Sequence, residues 1–212
     1  MNTQKRIVLL NGPPRCGKDT AASHLVPYMQ FQKMKFAAPL KRAVCGLLDM
    51  SESALENHKD EPFNILSRET QVPIDDYGGT KLEYSEKETP RRLLIDLSES
   101  FLKVKYGNSF FGRVAVREIN RSAHSLIIFT DSGFIDETSV IIKQYRKENV
   151  LLIRLHREGC DFKSDSRSYL DNIAGYNVDI DNNGPLSHLT GKVARAITRS
   201  FGIVPSKEIE LT

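Results

Sequence analysis

Short runs of aliphatic and β-branched residues recur along the chain at RIVLLN (6–11), MKFAA (34–38), SLIIFTD (125–131) and NVLLIRLH (149–156), with a weaker run, NVDID, at 177–181. The contiguous apolar stretches within these runs, such as IVLL, LIIF and VLLI, have the pattern of strands buried on both faces. Between them, apolar residues recur at helical spacing and predict helices over 18–30, 39–49, 90–106, 110–122, 135–148 and 186–201. This alternation predicts an α/β domain with a mainly parallel sheet covered by helices. The clearest helix is TPRRLLIDLSESFLKVKYG, with Thr89 as N-cap, Pro90 at the first helical position and Gly107 as terminator. Its stripe of Leu94, Leu97, Phe101 and Val104 is expected to face the sheet.

Two polar stretches interrupt the pattern. Residues 57–89 are turn-rich and have too few periodic apolar positions for a core element, so they read as an excursion over the site face. The segment REGCDFKSDSRSY (157–169) comes after the fourth strand in the same way. At 212 residues, 40% hydrophobic and 27% charged, the chain is long enough for one globular domain. A net charge of +3 is too small to argue for a nucleic-acid groove, so any basic site must be local. Cys16, Cys45 and Cys160 are odd in number and lack CxxC spacing, which fits free thiols in a reducing compartment. With no signal-peptide core and no run of about 18 apolar residues, a soluble cytoplasmic protein is expected.

The stretch after the first strand brings in chemistry. Gly12, Pro13, Pro14, Arg15, Cys16, Gly17 and Lys18 match the spacing GxxxxGK, between an aliphatic strand and the amphipathic segment DTAASHLVPYM. In such a loop, glycines let backbone N–H groups converge on a β-phosphate and the helix N-terminus adds its positive dipole end. A lysine then neutralises β- and γ-phosphate charge. Where the common pattern places a Ser or Thr that ligates Mg²⁺, this chain has Asp19, with Thr20 next to it. Asp19 is a hard oxygen ligand for the metal, directly or through water, and equally a favourable acid in a first helical turn. Thr20 is the competing metal or α-phosphate contact.

Asp131 ends a strand, at the carboxyl edge where open α/β sheets collect ligands. It is expected to hold Mg²⁺ through water or orient an acceptor phosphate, with a solvated strand-end acid as the plain alternative. Arg91 and Arg92 stand in the first turn of a helix, where the macrodipole disfavours cations. Either a bound monophosphate or pairing with Glu86 or Glu88 would compensate. Lys41 and Arg42 open the helix after strand two and carry the same argument; Arg113 lies near a helix start next to Ser109. Arg154, Arg157 and Arg167 flank the second polar stretch and suit a basic lid closing over phosphates, though each alone reads as a surface arginine. The five histidines show no ligand spacing, and no Ser/His or Cys/His constellation stands out.

Four blocks together resemble the deoxynucleoside monophosphate kinases of bacteriophage type, P-loop enzymes related to adenylate and dephospho-coenzyme A kinases. The first is NGPPRCGKDTAASHL, with the Gly-Lys-Asp-Thr variant; the second is MKFAAPLKRAV, similar to Phe-Ala-x-Pro-Leu-Lys. The third is TPRRLLIDLSESFLKVKYGNSFFGR, similar to the family's Arg-x-Leu-Leu helix and the turn after it. The fourth is the set IIFTDSGFIDE, LLIRLHRE and DIDNNGPLSHL, similar to Asp-x-Arg-Phe-x-x-Glu, a lid arginine and a closing Asn-x-Gly. The blocks run from Ile7 to Leu189. Two departures stand out: Gly133 where the family has arginine, and Ser98, Glu99 and Ser100 where it has Gly-Thr-Glu. Arg113 or Arg117 is expected to replace the missing cation.

The resemblance implies a three-layer P-loop NTPase fold over 1–212, with five parallel strands in the order 2-3-1-4-5, an acceptor-binding excursion at 57–89 and a lid-like segment at 157–172. It implies ATP- and Mg²⁺-dependent phosphorylation of deoxynucleoside 5′-monophosphates to diphosphates. Gly12, Pro13, Arg15, Cys16, Gly17, Lys18, Asp19, Thr20 and Arg154 would bind ATP, and Lys41, Arg42, Arg91, Arg92, Arg113 and Arg167 the acceptor. Asp19, Thr20 and Asp131 would manage the metal, and Lys18, Arg15, Asp131 and Arg157 would be catalytic. A homodimer, and a host cytoplasm for a phage-encoded chain, are implied by the same analogy; stable nucleic-acid binding and membrane association are not. Two other readings stay open. One is a P-loop kinase for dephospho-coenzyme A or phosphomevalonate, which an acceptor panel separates. The other is a silent nucleotide-binding module, which would bind ATP without acceptor-stimulated ADP release.

Overall fold

The computed structural model describes residues 4–73, 80–163, 165–207 and 209, with the backbone alone over 65, 67–73 and 80–86. Positions 74–79 of the 57–89 stretch and position 164 of the 157–172 stretch lie outside the described residues. The elements run β1 (Arg6–Asn11), α1 (Lys18–Leu25), β2 (Gln32–Met34), α2 (Ala38–Leu48), α3 (Glu52–His58), β3 (Ser67–Pro73), β4 (Thr80–Lys87) and α4 (Pro90–Ile95). A π-helical stretch, Asp96–Leu102, joins α4 to α5 (Lys103–Tyr106). Then come α6 (Phe110–Arg121), β5 (Leu126–Ser132), α7 (Ile135–Tyr145), β6 (Val150–His156), β7 (Tyr176–Asp181) and α8 (Leu186–Phe201). The chain divides into two compact units, Met1–Ala37 with Asn108–Thr212, and Ala38–Gly107.

In the first unit, β2, β5, β1, β6 and β7 form one all-parallel sheet in that order. Numbered among themselves, these strands are in the expected order 2-3-1-4-5. Because the strands are parallel, their carboxyl ends at Met34, Ser132, Asn11, His156 and Asp181 share one edge. The register between β1 and β5 shifts between Leu9 and Asn11, so that Asn11 lies opposite Ser132. On one face Val8, Leu10, Ile128, Leu151 and Ile153 pack with Ala21, Ala22 and Leu25 of α1 and with Leu189, Val193 and Ile197 of α8. The alternate residues Ile7, Leu9, Ile127, Phe129 and Leu152 are equally sealed. Helices α6 and α7 pack on each other and contribute buried Phe111, Ala115, Ile119 and Ile141.

The second strand is shorter than expected. It stops at Met34 because the amides of Phe36 and Ala37 leave the ladder and donate to the Asp131 carboxylate (2.9 and 3.0 Å). The Phe36 ring then stacks on Phe129, with centroids 4.5 Å apart. Helix α1 ends at Leu25 instead of continuing to 30, since Pro27 has no N–H to give to Ser23 and the Val26 amide takes that carbonyl.

In the second unit, Val44, Cys45 and Leu48 of α2 and Leu55 of α3 form a small core against Leu93, Leu94 and Leu97. The predicted cap holds: Thr89 Oγ1 accepts the Arg92 amide at 3.2 Å, and Gly107 ends the helical run with φ 87°. The predicted stripe does not. Phe101 and Val104 are 49% and 78% exposed, and the leucines before them pack on α2 and α3. The π-helical stretch adds a residue per turn, rotating the residues after it by about 100° off the α-helical phase. The 57–89 stretch also contains an element that its composition hid: β3 and β4 pair antiparallel as a separate two-stranded sheet. No described helix is long and apolar enough to cross a membrane.

Leu151 lies in β6, paired with β1 on one side and β7 on the other, with no exposed surface. Leu151→Ala is expected to lower unfolding stability by about 2–5 kcal/mol, read from the urea midpoint.

Candidate functional site

The turn from β1 into α1 is shaped by two glycines that no other residue replaces. Gly12 has φ 155° and a Cβ there would lie 2.7 Å from both Cys16 Sγ and the Leu155 carbonyl oxygen. Gly17 has φ 101° and its Cβ would lie 2.6 Å from Asn182 Nδ2. Between them exposed Arg15 also takes a left-handed conformation, φ 64°, a strained position for a residue with a side chain. Lys18 is buried inside its own loop, donating to the carbonyls of Gly12 and Pro13 (both 2.6 Å) and lying 3.5 Å from Cys16 Sγ. Burial pulls the Lys18 pKa down and pushes the Cys16 thiol up, with the two groups partly offsetting each other. A second strand end braces the loop: Asn182, just past β7, donates to the Cys16 carbonyl at 2.9 Å, and its own amide donates to His156 O.

Asn11, fully buried at the end of the central strand, organises the floor. Its Nδ2 donates to the carbonyls of Ser132 (2.9 Å) and Ser168 (3.0 Å), and its Oδ1 accepts the Leu170 amide (2.9 Å). The Ser168 amide donates to Gly133 O, and the Tyr169 hydroxyl to Leu155 O. Part of the 157–172 stretch is thereby fastened to the sheet edge. It carries Arg167, whose Nε and Nη2 fork onto the Asp165 carboxylate at 2.8 and 2.5 Å. That carboxylate raises the Arg167 pKa against the effect of burial, with Asp131 and Glu137 adding to the rise. Arg167 in turn holds the Asp165 carboxyl below the usual range, against its burial.

The two acids that the sequence offered for metal have different surroundings. Asp131 is raised by burial, opposed by the Ala37 and Phe36 amides on its two oxygens and by Arg167 and Lys35 nearby. Burial also pushes Asp19 up, but the Lys35 ammonium (3.0 Å), the Thr130 hydroxyl (2.9 Å) and Lys33 outweigh it and leave the carboxyl below its ordinary value. Both direct contacts fall on Oδ1, so Oδ2 stays open. Thr20 is exposed, and its hydroxyl makes no hydrogen bond among the described residues. The buried Ser132 hydroxyl has no partner among them either.

The other cations fall into four groups. Arg157 is exposed at the loop, its Nη1 3.4 Å from the Arg15 carbonyl. Arg154 is a joint between strands: Nε and Nη2 fork onto Asp179 (2.8 and 2.6 Å), and Nη1 donates to Leu170 O and Asn172 Oδ1 (both 3.0 Å). These bonds leave its guanidinium committed to the scaffold, unlike the nucleotide contact expected from the sequence. Arg113 donates to Ser109 Oγ at 2.6 Å and lies over the Phe110 ring. Within the second unit, Lys41 pairs with Glu56, Arg91 forks onto Asp60, and Arg92 pairs with Asp96 at 3.0 Å, while Arg42 lies on α2. Asp60 and Asp96 are thus partners of Arg91 and Arg92 that the sequence did not suggest, and the Glu86 side chain lies outside the described residues.

The first unit therefore brings together Gly12, Pro13, Arg15, Cys16, Gly17, Lys18, Asp19, Thr20, Asp131, Arg157 and Arg167 at one sheet edge. Sequence reasoning missed Asn11, Lys35, Thr130, Asp165 and Asn182. A polar residue closing an apolar run marked Asn11 and Asn182, and Asp165 stood two residues from Arg167.

No family model matches the chain. Over 204 residues it is 24% identical to a protein of Acanthamoeba polyphaga mimivirus provisionally named a deoxynucleotide monophosphate kinase, covering 90% of this chain and 95% of that one. Among solved structures, a sugar kinase from Janibacter sp. HTCC2649 is 10% identical with a TM-score of 0.42, covering 91% of this chain and 94% of that one. TT1252 from Thermus thermophilus is 12% identical with a TM-score of 0.47, over 93% and 98%. Neither structural likeness is close enough to bear on function.

Because the folded chain lowers the Asp165 pKa, its pairing stabilises fully above the unfolded carboxyl value of about 4 and fades as pH falls through the folded one. The stability gap between wild type and Asp165→Asn, measured by urea denaturation, is expected to narrow between about pH 6 and pH 3. A gap independent of pH would contradict the ion pair.

Proposed function

We propose that the chain is an ATP-dependent kinase that phosphorylates a deoxynucleoside 5′-monophosphate. The observation that carries this reading is the convergence of a backbone phosphate loop, closed by Lys18, with two arginines from a separate segment, Arg157 and Arg167. A loop and one lysine suffice to bind a nucleotide, whereas phosphoryl transfer between two phosphates needs further positive charge around the transferring group.

A phosphate monoester as acceptor is supported by how the three acids described at this edge are occupied. Asp131 takes two amides, Asp19 Oδ1 an ammonium and a hydroxyl, and Asp165 a guanidinium fork. Asp131 and Asp165 thus have both oxygens occupied, and Asp19 keeps only Oδ2, which this reading gives to the metal. A phosphate monoester needs no general base, being largely dianionic at pH 7 with a second pKa of about 6. One of its oxygens attacks the γ-phosphorus of ATP in line, a new O–P bond forms, and the bond to the β-phosphate oxygen breaks, leaving its electron pair on ADP. Cys16 is no competing nucleophile, since burial keeps it a thiol. The nucleoside part of the acceptor rests on the mimivirus relative, aligned over 90% of this chain, and on the four sequence blocks.

Magnesium fits as an ion carried by the phosphates. Among the described residues no three His, Cys, Asp or Glu side chains are grouped to hold a metal alone. Mg²⁺ usually needs only one or two protein oxygens beside phosphates and water. Asp19 Oδ2 and the Thr20 hydroxyl would supply them; Asp131 would contribute only by releasing Phe36 or Ala37. Bound there, the ion would neutralise charge on the β- and γ-phosphates. Lys41, Arg91 and Arg92 could contact an acceptor phosphate that displaces their carboxylate partners.

The test is ADP formation with dAMP, dGMP, dCMP, dTMP and a 5-substituted dCMP as acceptors. At least one is expected to stimulate ADP release, and Lys18→Ala to lower that rate by about 10²-fold or more. Turnover of a non-nucleotide with none of these, or ATP binding without acceptor-stimulated release, would overturn the proposal. Asp19→Asn is expected to raise the Mg²⁺ concentration for half-maximal rate; an unchanged requirement, with a raised one in Thr20→Ala, would assign the metal to Thr20.

A further inference from the structure

We infer that Arg167 is a phosphate-binding cation held in place before ligand arrives, seated on Gly133 and aimed by Asp165, and that Asp165 is a positioning residue of the site. The inference rests on the phosphoryl-transfer reading above and adds a mechanism for presenting one of its cations.

The seat is steric. A Cβ on Gly133 would lie 2.6, 2.8 and 2.9 Å from Cβ, Cγ and Cδ of Arg167, nearer than side-chain carbons approach one another. The stem of Arg167 therefore runs through the space where any other residue at 133 would begin its side chain. The aim is set by the fork, which uses Nε and Nη2 on the two oxygens of Asp165. Asp165 Oδ1 also accepts the Arg167 amide at 2.9 Å, so one carboxylate fixes both ends of the same residue. This leaves Nη1, a two-proton donor, without a hydrogen bond among the described residues on a side chain only 24% exposed. A half-buried guanidinium donor without an acceptor is matched by a phosphate oxygen.

The mounting is equally definite. Asn11 holds Ser168 O and Leu170 N, and Ser168 N reaches Gly133 O, so the backbone after Arg167 is tied to the ends of β1 and β5. Arg167 also acts on Lys18, whose pKa it helps to lower. Two cations held within electrostatic reach of each other repel until an anion binds both. An ordinary surface ion pair would explain the fork and a solvated Nη1 but not the glycine beneath the stem.

Wild type, Asp165→Asn, Arg167→Ala, their double variant and Gly133→Ala should be compared in the full chain. Affinity for tripolyphosphate by calorimetry is read beside kcat and KM with whichever deoxynucleotide the wild type accepts, and beside the thermal midpoint. Arg167→Ala is expected to weaken tripolyphosphate binding and lower kcat by about 10²-fold. Asp165→Asn should lower kcat by about 10-fold, with a smaller change in acceptor KM and an Arg167 Nε–H proton signal that exchanges faster with water. The double variant should be no worse than Arg167→Ala, because Asp165 acts through that arginine. Gly133→Ala, which leaves both charges in place, should reproduce the Asp165→Asn losses and serves if Asp165→Asn does not fold. Additive losses in the double variant, wild-type behaviour of Asp165→Asn beside an impaired Arg167→Ala, or wild-type tripolyphosphate affinity in Arg167→Ala would each overturn the inference. If no deoxynucleotide is turned over, the kinase reading falls while tripolyphosphate affinity still decides the role of Arg167.

Discussion

A single buried amide, that of Asn11, ties the sheet to its chemistry. At the last residue of the central strand it has no exposed surface, and leaving either of its polar atoms without a partner there would cost about 1–3 kcal/mol. Its partners are all backbone groups, the carbonyls of Ser132 and Ser168 and the amide of Leu170. The fastening is therefore indifferent to the side chains it positions, which leaves Ser132, Gly133 and Arg167 free to carry other tasks. The register shift between Leu9 and Asn11 sets Asn11 opposite Ser132, so an irregularity in the ladder is part of how the site is assembled.

The charges at this edge alternate in sign, and each acid owes its state to a different kind of donor. Asp19 and Asp131 both lose solvent, yet their pKa values move in opposite directions. Asp19 has an ammonium in contact, whereas Asp131 is contacted by two neutral amides and only approached by cations. Charge–charge contact overcomes the smaller desolvation of half-exposed Asp19, whereas the amide dipoles do not overcome the deeper burial of Asp131. Asp131 thus has a structural task, ending β2 and launching the chain toward α2. Asp19 keeps an ionised carboxylate beside the loop.

The parallel strands and the glycine-shaped turn after the first of them were legible because their signals are local, contiguous apolar runs and fixed spacing of glycines and a lysine, whereas the strand order came from the family resemblance. What escaped depends on partners far along the chain. The amides of Phe36 and Ala37 give up their ladder for a carboxylate at position 131, which no window around MKFAA contains. Arg154 looked like a cation beside a lid, but its fork lies on the neighbouring strand at Asp179. The helix at 90–106 was read correctly at both caps and wrongly in its stripe, since a π-helical stretch leaves composition unchanged while altering phase. Gly133 was visible as a departure from a family pattern and was read as a lost cation. The atoms nearest to it belong to Arg167, while Arg113, expected to compensate, is bonded to Ser109.

The three cations of the loop edge differ in how firmly they are held. Lys18 makes two short bonds inside its loop, and Arg167 is fixed by a fork, a seat and a fastened backbone. Arg157 has one long contact, to the carbonyl of Arg15. Fixed cations and the strained backbone of Arg15 raise the free energy of the ligand-free chain, a cost that a polyphosphate bound as proposed would offset. Electrostatic stabilisation set up in advance needs no reorganisation when charge shifts between phosphates, which is where the rate advantage of such a site arises. A loosely held cation adds nothing of that kind in the free chain, but in the proposed reaction it would be able to follow the charge as the β,γ bond breaks and to release the products. The division between two preset cations and one adjustable one thus fits a site that must both stabilise a transferring phosphoryl group and release what it makes.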